Sequence, residues 1–268
     1  MSRELADIFK DTYTQYSKNP VLVKACENTR KNERLYLADE KIECDRQRFP
    51  EKLKLVVSKK RSFEAASAYK GARTAVLNFA NSFHPGGGVV SGAGAQEECL
   101  CRCSTLYDSL VSPFMIENFY KKHIAALDEL ANDDVIFSPC VKVFKSDTRF
   151  PEMLPENEWF DVDVLTCAAP NIGMGFVKVL DISDEKLFAL HESRLRKILD
   201  AAALNKDEAV ILGAFGCGAF RNPPEVVARA SKKVLSEYEH AFKAVEFAVY
   251  CPPQDQTNFE VFSKVLEG

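Results

Sequence analysis

Short apolar runs alternate with longer amphipathic segments along the chain from residue 53 onward. Such runs, bounded by polar or turn-forming residues, are typical of buried strands and predict strands at residues 53–58, 74–79, 135–138, 162–167, 209–214 and 245–250. Apolar residues spaced three and four apart predict helices at residues 63–71, 96–110, 115–130, 184–205 and 223–238. Because strands alternate with helices, we predict an α/β layered fold around a mixed or largely parallel sheet.

The first 52 residues follow a different pattern. They are rich in charge, and helical spacing links Leu5, Ile8, Phe9 and Thr12 and, later, Leu35 and Leu37. The chain has no internal repeat, low-complexity tract or Pro/Gly/Ser-rich linker that marks a boundary. We therefore predict a single domain over residues 1–268, in which residues 1–52 form a mostly helical N-terminal extension packed on the rest.

The composition is that of an ordinary globular protein, with 46% hydrophobic and 28% charged residues in a chain of 268. The N-terminal sequence lacks the apolar segment of a secretory signal. The longest apolar run, residues 209–220, is shorter than the roughly 20 residues that span a bilayer. We expect an intracellular, cytoplasmic protein that does not bind membranes. The net charge of −4 argues against sequence-specific DNA binding, because DNA-binding domains usually present a basic face.

Nine cysteines raise the question of a disulfide scaffold or a metal site. The length of the chain and the lack of a secretory signal disfavour disulfides. Cys99, Cys101 and Cys103 lie two residues apart on a predicted helix, where side chains point about 200° apart and cannot share one ion. We therefore predict free thiols and no bound metal.

The segment from Gly86 to Glu98 joins three consecutive glycines to two adjacent carboxylates at the start of a predicted helix. We call residues 80–95 the first loop. Acids are common in the first turn of a helix, so Glu97 and Glu98 alone would indicate little. The glycines before them favour a site for a phosphate- and sugar-containing ligand, since glycine lets a backbone approach a ligand closely. Arg102, one turn after Glu98, is placed to pair with it and lower its pKa.

Two adjacent acids cannot act like the opposed carboxylates of ordinary glycosidases, which lie about 5 to 9 Å apart on opposite faces of a sugar. Neighbouring helical side chains diverge by about 100° from one anchor. One acid of the pair must therefore carry both proton transfers while the other orients the sugar.

A second loop, residues 215–222, follows the predicted strand at 209–214 and contains two glycines. Glycines ahead of a helix start leave backbone amides that can bind an anion, although a tight turn without a ligand explains this loop equally well. We predict that Asn222 caps the next helix, that Pro223 takes its first position and that Glu225 completes a capping box. The two loops together are suited to grip a diphosphate from two sides.

These motifs resemble those of the bacterial-type poly(ADP-ribose) glycohydrolases. The triple glycine, the short spacer and Gln-Glu-Glu at residues 96–98 form a highly specific combination. Residues 74–81, 162–171 and 212–223 resemble further family segments and occur in family order. The cysteines at 99, 101 and 103 stand where small residues such as Ser or Ala are expected. The resemblance implies a macrodomain-like three-layer α/β/α sandwich with a mixed sheet.

The resemblance also implies a reaction and its residues. The family cleaves the ribose–ribose O-glycosidic bond of poly(ADP-ribose) and releases ADP-ribose, with Glu98 as general acid and base and Glu97 positioning the ribose. No metal or organic cofactor is implied. The implied substrate-binding residues are Asn81, Gly86, Gly87, Gly88, Gln96, Gly216, Cys217, Gly218, Ala219 and Phe220.

Several side chains near these loops have ordinary structural alternatives. By resemblance, Phe220 lies against the ribose of the nucleotide and Asn81 hydrogen-bonds the terminal ribose, but an Asn at a strand end also caps turns. Asn171 has the same ambiguity. We expect Phe215 to pack in the core and His84 to be a loop residue.

Two other functions stay open from the sequence. One is the removal of single ADP-ribose units from proteins, nucleic acids or small molecules, and the other is ADP-ribose binding without turnover. The Gln-Glu-Glu motif favours an enzyme, because a binding module needs no carboxylate at the anomeric carbon. The expected partners are poly(ADP-ribose) or an ADP-ribosylated substrate and the product ADP-ribose, and the expected state is a monomer.

Overall fold

A computed structural model describes residues 1–173 and 182–268. Its strands are β1 (Arg34–Tyr36), β2 (Lys54–Ser58), β3 (Thr74–Phe79), β4 (Val135–Val143), β5 (Phe160–Cys167), β6 (Ala209–Leu212) and β7 (Ala244–Ala248). They form one sheet in the order β1-β4-β5-β3-β6-β7-β2. The strands from β5 to β2 in this order are parallel, whereas β1 pairs antiparallel with β4 and β4 pairs antiparallel with β5.

Helices cover both faces of the sheet. They are α1 (Arg3–Lys18), α2 (Pro20–Asn32), α3 (Ser62–Ala66), α4 (Gln96–Cys103), α5 (Leu106–Leu110), α6 (Pro113–Met115), α7 (Lys121–Ala126), α8 (Asp184–Leu204), α9 (Pro224–Leu235) and α10 (Thr257–Glu267). Single turns of 3₁₀ helix occur at Ser67–Tyr69, Val89–Ser91 and Glu156–Glu158, and a π-helical turn at Ile116–Tyr120 joins α6 to α7. Side chains from α8, α9 and α10 fill one core, and side chains from α1, α3, α4 and α5 fill the other. The predicted three-layer α/β/α architecture with a mixed sheet is confirmed.

The central strands are buried on both faces, which explains why they are continuous apolar runs in the sequence. On β3, Ala75 and Leu77 belong to one core and Val76 to the other. On β6, Val210 and Ile211 divide in the same way. Within the described ranges, no helix is both long and apolar enough to cross a membrane.

Two predicted helices differ in detail from the observed ones, and the first differs because of a contact that is distant in sequence. The predicted helix at 96–110 breaks at Ser104, which is extended (φ −148°, ψ −179°) and forms a β-bridge with Val143. The predicted helix at 115–130 starts two residues early and ends before Leu127, which is left-handed (φ +50°). The short strand β1 and the C-terminal helix α10 were not predicted.

The N-terminal segment contains the helices α1 and α2, and it also contributes the strand β1 to the sheet. Phe9 and Thr12 are buried on α1, in agreement with the helical spacing. The helical interpretation of Leu35 and Leu37 is wrong, because residues 34–36 form the edge strand β1. Their separation of two residues is the spacing of a strand.

Helix α1 packs directly on the first loop. The Ser2 amide donates to the Gly92 carbonyl oxygen (2.9 Å), and the Thr12 hydroxyl donates to the carbonyl oxygen of Arg102 (2.6 Å). The ring of Phe9 meets the ring of Tyr107 edge-on at 4.9 Å. The N-terminal segment therefore supports both the first loop and the helix that follows it.

Gly92→Ala should lower the free energy of unfolding by more than Gly71→Ala does. Both glycines have positive φ (+78° and +98°), so alanine is strained at either position. A Cβ at Gly92 would lie 1.9 Å from the Ser2 carbonyl oxygen, whereas one at Gly71 would meet nothing within 4 Å. We expect Gly71→Ala to cost about 1 kcal/mol in urea unfolding and Gly92→Ala to cost more. Equal losses would contradict close packing of α1 on the first loop.

Candidate functional site

A cavity of about 490 Å³ opens at the carboxyl ends of the parallel strands. This edge is where open α/β sheets bind ligands. Both loops and the start of α4 line the cavity, together with residues that follow β2, β5 and β7. Among the lining residues are Asn81, Gly87, Gly88, Gln96, Glu97, Glu98, Asn171, Gly216, Gly218, Ala219 and Phe220. Most of the predicted substrate-binding set is thus brought together in one place.

The triple glycine packs against the two carboxylates. Gly87 has φ +58°, and a Cβ there would lie 2.5 Å from Oε1 of Glu98 and 3.1 Å from Oε2 of Glu97. Gly86 is buried outside the cavity lining, where a Cβ would lie 2.7 Å from the ring of Tyr107. The absence of side chains at these two glycines therefore serves the packing of the catalytic candidates, in addition to the predicted access for a ligand.

Glu98 is held by one oxygen only. Its Oε1 accepts a hydrogen bond from the Gly88 amide (2.8 Å). Its Oε2 is shielded from solvent and has no hydrogen-bond partner in the described part of the chain. An unsatisfied buried oxygen of this kind costs roughly 1 to 3 kcal/mol, so its presence calls for an explanation. Contact between Oε2 and a bound ligand, after the carboxylate turns toward the cavity, would supply one.

The ion pair between Glu98 and Arg102 that the sequence allows is not formed. Arg102 is fully buried, and its guanidinium donates to the carbonyl oxygen of Ala93 (2.7 Å) and to Sγ of Cys99 (3.4 Å). Among described residues, no salt bridge joins it to Glu98. The guanidinium of Arg102 therefore donates to the backbone of the first loop instead of to the Glu98 carboxylate.

Glu97 is buried more deeply and is more fully hydrogen-bonded. Its Oε2 accepts from the Asn81 amide (2.9 Å), and its Oε1 accepts from Nδ2 of Asn78 (3.3 Å). Burial raises the pKa of Glu97 to about 8, and the adjacent Glu98 acts in the same direction. Asn78, which also donates to Thr166 (3.1 Å), was not singled out from the sequence. In the sequence, Asn78 stands out as a carboxamide among the apolar residues of β3.

Gln96 and Asn81 line the cavity but also hold the loop together. The Gln96 side chain accepts from the Phe79 amide (2.9 Å) and donates to the Leu77 carbonyl oxygen (2.8 Å). Oδ1 of Asn81 accepts from the amides of Phe83 (2.8 Å) and of residue 84 (2.9 Å), which is the turn-capping role considered above. The ligand roles of both side chains stay predictions, and for Asn81 the carboxamide nitrogen is the group suited to meet a sugar hydroxyl.

In the second loop, the two glycines have different roles. Gly216 has φ +79°, and a Cβ there would lie 2.6 Å from Cβ of Ala169. A Cβ at Gly218 would meet nothing within 4 Å, so the fold does not require glycine there. Phe220 is half-buried at the cavity wall, and Phe215 is buried as predicted.

One residue of the predicted substrate-binding set lies outside the cavity lining, and one helix-cap prediction is wrong. Cys217 does not line the cavity, because its side chain packs against the apolar core, where burial raises the pKa of its thiol. Asn222 does not cap α9, which begins at Pro224 with Pro223 as its cap residue. The Asn222 side chain instead points inward and donates to the Pro170 carbonyl oxygen (2.7 Å).

Another part of the cavity wall was not anticipated from the sequence. The guanidinium of Arg61 lies 4.0 Å from the centre of the Tyr250 ring, and both residues line the cavity. Asp147 lines it too, with Oδ2 accepting from the Phe63 amide (2.8 Å). These residues come from three separate segments, so no local pattern could reveal them.

The cysteines of α4 lie beside the carboxylates, and all nine cysteines of the chain are free. Cys101 and Cys103 are fully buried, and Cys99 is the one of the three that lines the cavity. In the ranges 1–173 and 182–268, no group of three or more His, Cys, Asp or Glu side chains is arranged to hold a metal ion.

Comparison with known proteins agrees with the geometry. A sequence profile described as "Microbial-type PARG, catalytic domain" matches residues 2–146, which include the first loop and all of α4. The chain belongs to the microbial-type PARG family. PARG denotes poly(ADP-ribose) glycohydrolase. No curated protein matches the chain.

Solved PARG structures share the whole fold. The enzyme from Thermomonospora curvata superposes with a TM-score of 0.85 at 28% identity, covering 98% of this chain and 100% of that one. The same enzyme bound to the inhibitor ADP-HPD gives 0.83 at 29% identity, with coverage of 98% and 99%. The PARG of Deinococcus radiodurans in complex with ADP-ribose gives 0.79 at 34% identity, with coverage of 90% and 96%.

Glu97→Gln should flatten the pH dependence of stability. The pKa of Glu97 rises from 4.5 to about 8 on folding, so protonation favours the folded state. That contribution is complete below the unfolded pKa and is lost as the pH rises through the folded pKa. Urea unfolding at about pH 5 and about pH 8 should show that the wild type loses more stability over this interval than the variant. Equal losses would contradict the raised pKa.

Proposed function

We propose that this chain hydrolyses the ribose–ribose O-glycosidic bonds of poly(ADP-ribose) and releases ADP-ribose, with Glu98 as the catalytic acid and base. The observation that carries the proposal is the state of the Glu98 carboxylate. One oxygen is fixed by the Gly88 amide, while the other has no partner among the described residues and belongs to a cavity-lining side chain. A carboxylate held in this way is oriented and still free to exchange a proton.

The reaction needs two proton transfers at one position. Glu98 in its acid form protonates the departing ribose oxygen as the glycosidic bond breaks, which leaves an oxocarbenium-like ribose. Water then attacks the anomeric carbon, and the Glu98 carboxylate takes its proton. Glu97 does not exchange protons with the substrate in this scheme. Its two hydrogen-bonded oxygens and raised pKa suit a carboxyl that orients ribose hydroxyls.

The second loop is suited to bind the diphosphate of the substrate. The amides of Gly218, Ala219 and Phe220 make no hydrogen bond to any described residue. Consecutive unpaired amides form a concave site that favours an anion. Gly87 and Gly88 line the cavity in the first loop. The arrangement supports binding of a diphosphate by backbone groups, as expected for a chain with a net charge of −4.

The ligands of the related structures support this assignment. The Deinococcus radiodurans enzyme was solved in complex with ADP-ribose and the Thermomonospora curvata enzyme with ADP-HPD. For this chain we propose poly(ADP-ribose) as substrate and ADP-ribose as product. The chemistry uses a carboxylate and water, so we propose no metal or organic cofactor, and we propose that one copy of the chain suffices for activity.

Glu98→Gln should abolish turnover while ADP-ribose still binds. Glutamine keeps an oxygen for the Gly88 amide but cannot donate and recover the proton, and such a loss typically lowers rates by about 10² to 10⁴. The assay is hydrolysis of defined-length poly(ADP-ribose) with chromatographic identification of products, and binding is measured by calorimetry.

Glu97→Gln is the matched variant, and it should impair the rate less, through misplaced ribose. Near-normal hydrolysis by Glu98→Gln would overturn the assignment of Glu98. A wild-type protein that binds ADP-ribose but releases none from the polymer would overturn the enzymatic proposal itself.

A further inference from the structure

Two buried side chains that do not line the cavity hold the second loop in place. One is Asn222 of the loop itself, and the other is His191 of α8. We propose that His191 and Asn222 are positioning residues for the diphosphate of the substrate, acting through this loop. The inference rests on the proposed function, since it concerns how the same site holds its ligand. His191 comes from the middle of α8, and its imidazole is 3% exposed; Asn222 is 1% exposed.

A chain of hydrogen bonds runs from α8 into the loop. Nδ2 of Asn222 donates to the carbonyl oxygens of Pro170 (2.7 Å) and Gly216 (3.0 Å) and lies 3.4 Å from that of Phe220. This fixes the orientation of the carboxamide, so Oδ1 must be an acceptor. Nε2 of His191 lies 2.9 Å from Oδ1 and therefore carries the proton that it donates.

Backbone hydrogen bonds join Arg221 to Gly218 (3.1 Å) and Asn222 to Gly216 (3.0 Å), and the Asn222 side chain adds to them at a loop that contains strained residues. Gly216 has φ +79° and Arg221, a non-glycine residue, has φ +58°. Non-glycine residues persist in the left-handed region when the surroundings determine their conformation. A Cβ at Gly216 would lie 2.7 Å from Nδ2 of Asn222, so this amide occupies the space that the glycine leaves. The amides at 218–220, which have no protein partner in the described ranges, depend on the two ends of the loop for their direction.

His191 is suited to keep its hydrogen bond to Asn222 rather than to exchange a proton. Burial lowers the pKa of His191 to about 4, which keeps the ring neutral at physiological pH. The imidazole ring also packs edge-on against Phe215, with the ring centres 5.9 Å apart. The ring centre of Phe215 lies 5.6 Å from that of Phe79, next to the first loop. The pair is therefore packed between α8 and both loops.

A positioning role through the loop predicts a specific kinetic pattern. The network contacts no reacting atom, so its loss should weaken binding of the diphosphate and raise KM while kcat changes little. A general loss of folding would instead lower the active fraction without changing the affinity of the molecules that remain folded.

The test compares His191→Leu with His191→Gln, and uses His240→Leu as the control. The side-chain N–H of glutamine can donate to Asn222 as Nε2 does, whereas leucine cannot. His240 is a partly buried histidine whose Nδ1 lies 3.1 Å from the Phe49 carbonyl oxygen, and it does not line the cavity. Each variant is assayed for ADP-ribose affinity by calorimetry, for kcat and KM on poly(ADP-ribose), and for thermal unfolding.

His191→Leu should weaken ADP-ribose binding roughly tenfold or more, since it leaves the buried Oδ1 of Asn222 without a donor. His191→Gln should recover most of the affinity, and His240→Leu should bind like the wild type. If His191→Leu does not fold, Asn222→Asp makes the same test, because it places an acceptor against the loop carbonyl oxygens. Wild-type affinity in a folded His191→Leu or Asn222→Asp variant would overturn the inference. Failure of the wild type to bind ADP-ribose would instead refute the proposed function.

Discussion

The site depends on the close approach of the Gly87 backbone to two adjacent carboxylates. A side chain there would displace the carboxylates, because a Cβ would lie 2.5 Å from Oε1 of Glu98. The approach lets the neighbouring Gly88 amide hold that oxygen, which fixes the carboxylate without a cationic partner. The start of helix α1 stabilises the first loop through the hydrogen bond that the Ser2 amide donates to the Gly92 carbonyl oxygen. The N-terminal segment is thus part of the architecture of the site.

The two acids differ because their surroundings differ. Glu97 is enclosed by backbone and amide donors, and burial raises its pKa. Glu98 has one fixed oxygen and one without a partner among the described residues. Neither is ion-paired with Arg102, whose donors go to Ala93 and Cys99. This division explains how neighbouring carboxylates on one helix can take separate roles, although they cannot flank a sugar as in ordinary glycosidases.

The sequence predicted the features that depend on local pattern. Buried strands appeared as apolar runs, and Gln-Glu-Glu after a triple glycine singled out two carboxylates that line the cavity. It could not predict features set by distant partners. Ser104 breaks a helix because β4 offers it a bridge, and Asn222 turns inward because His191 and the carbonyl oxygens of the loop lie there.

The central claim is that the side-chain carboxyl of Glu98 exchanges a proton with the glycosidic oxygen of the substrate. The most direct measurement is a crystal structure of Glu98→Gln with a short poly(ADP-ribose) oligomer bound. The account predicts that the side-chain amide at position 98 lies within hydrogen-bond distance of the glycosidic oxygen, about 2.7 to 3.2 Å, with the diphosphate on the amides of residues 218–220. A glycosidic oxygen that instead contacts Glu97, or that lies beyond reach of both side chains, would contradict it.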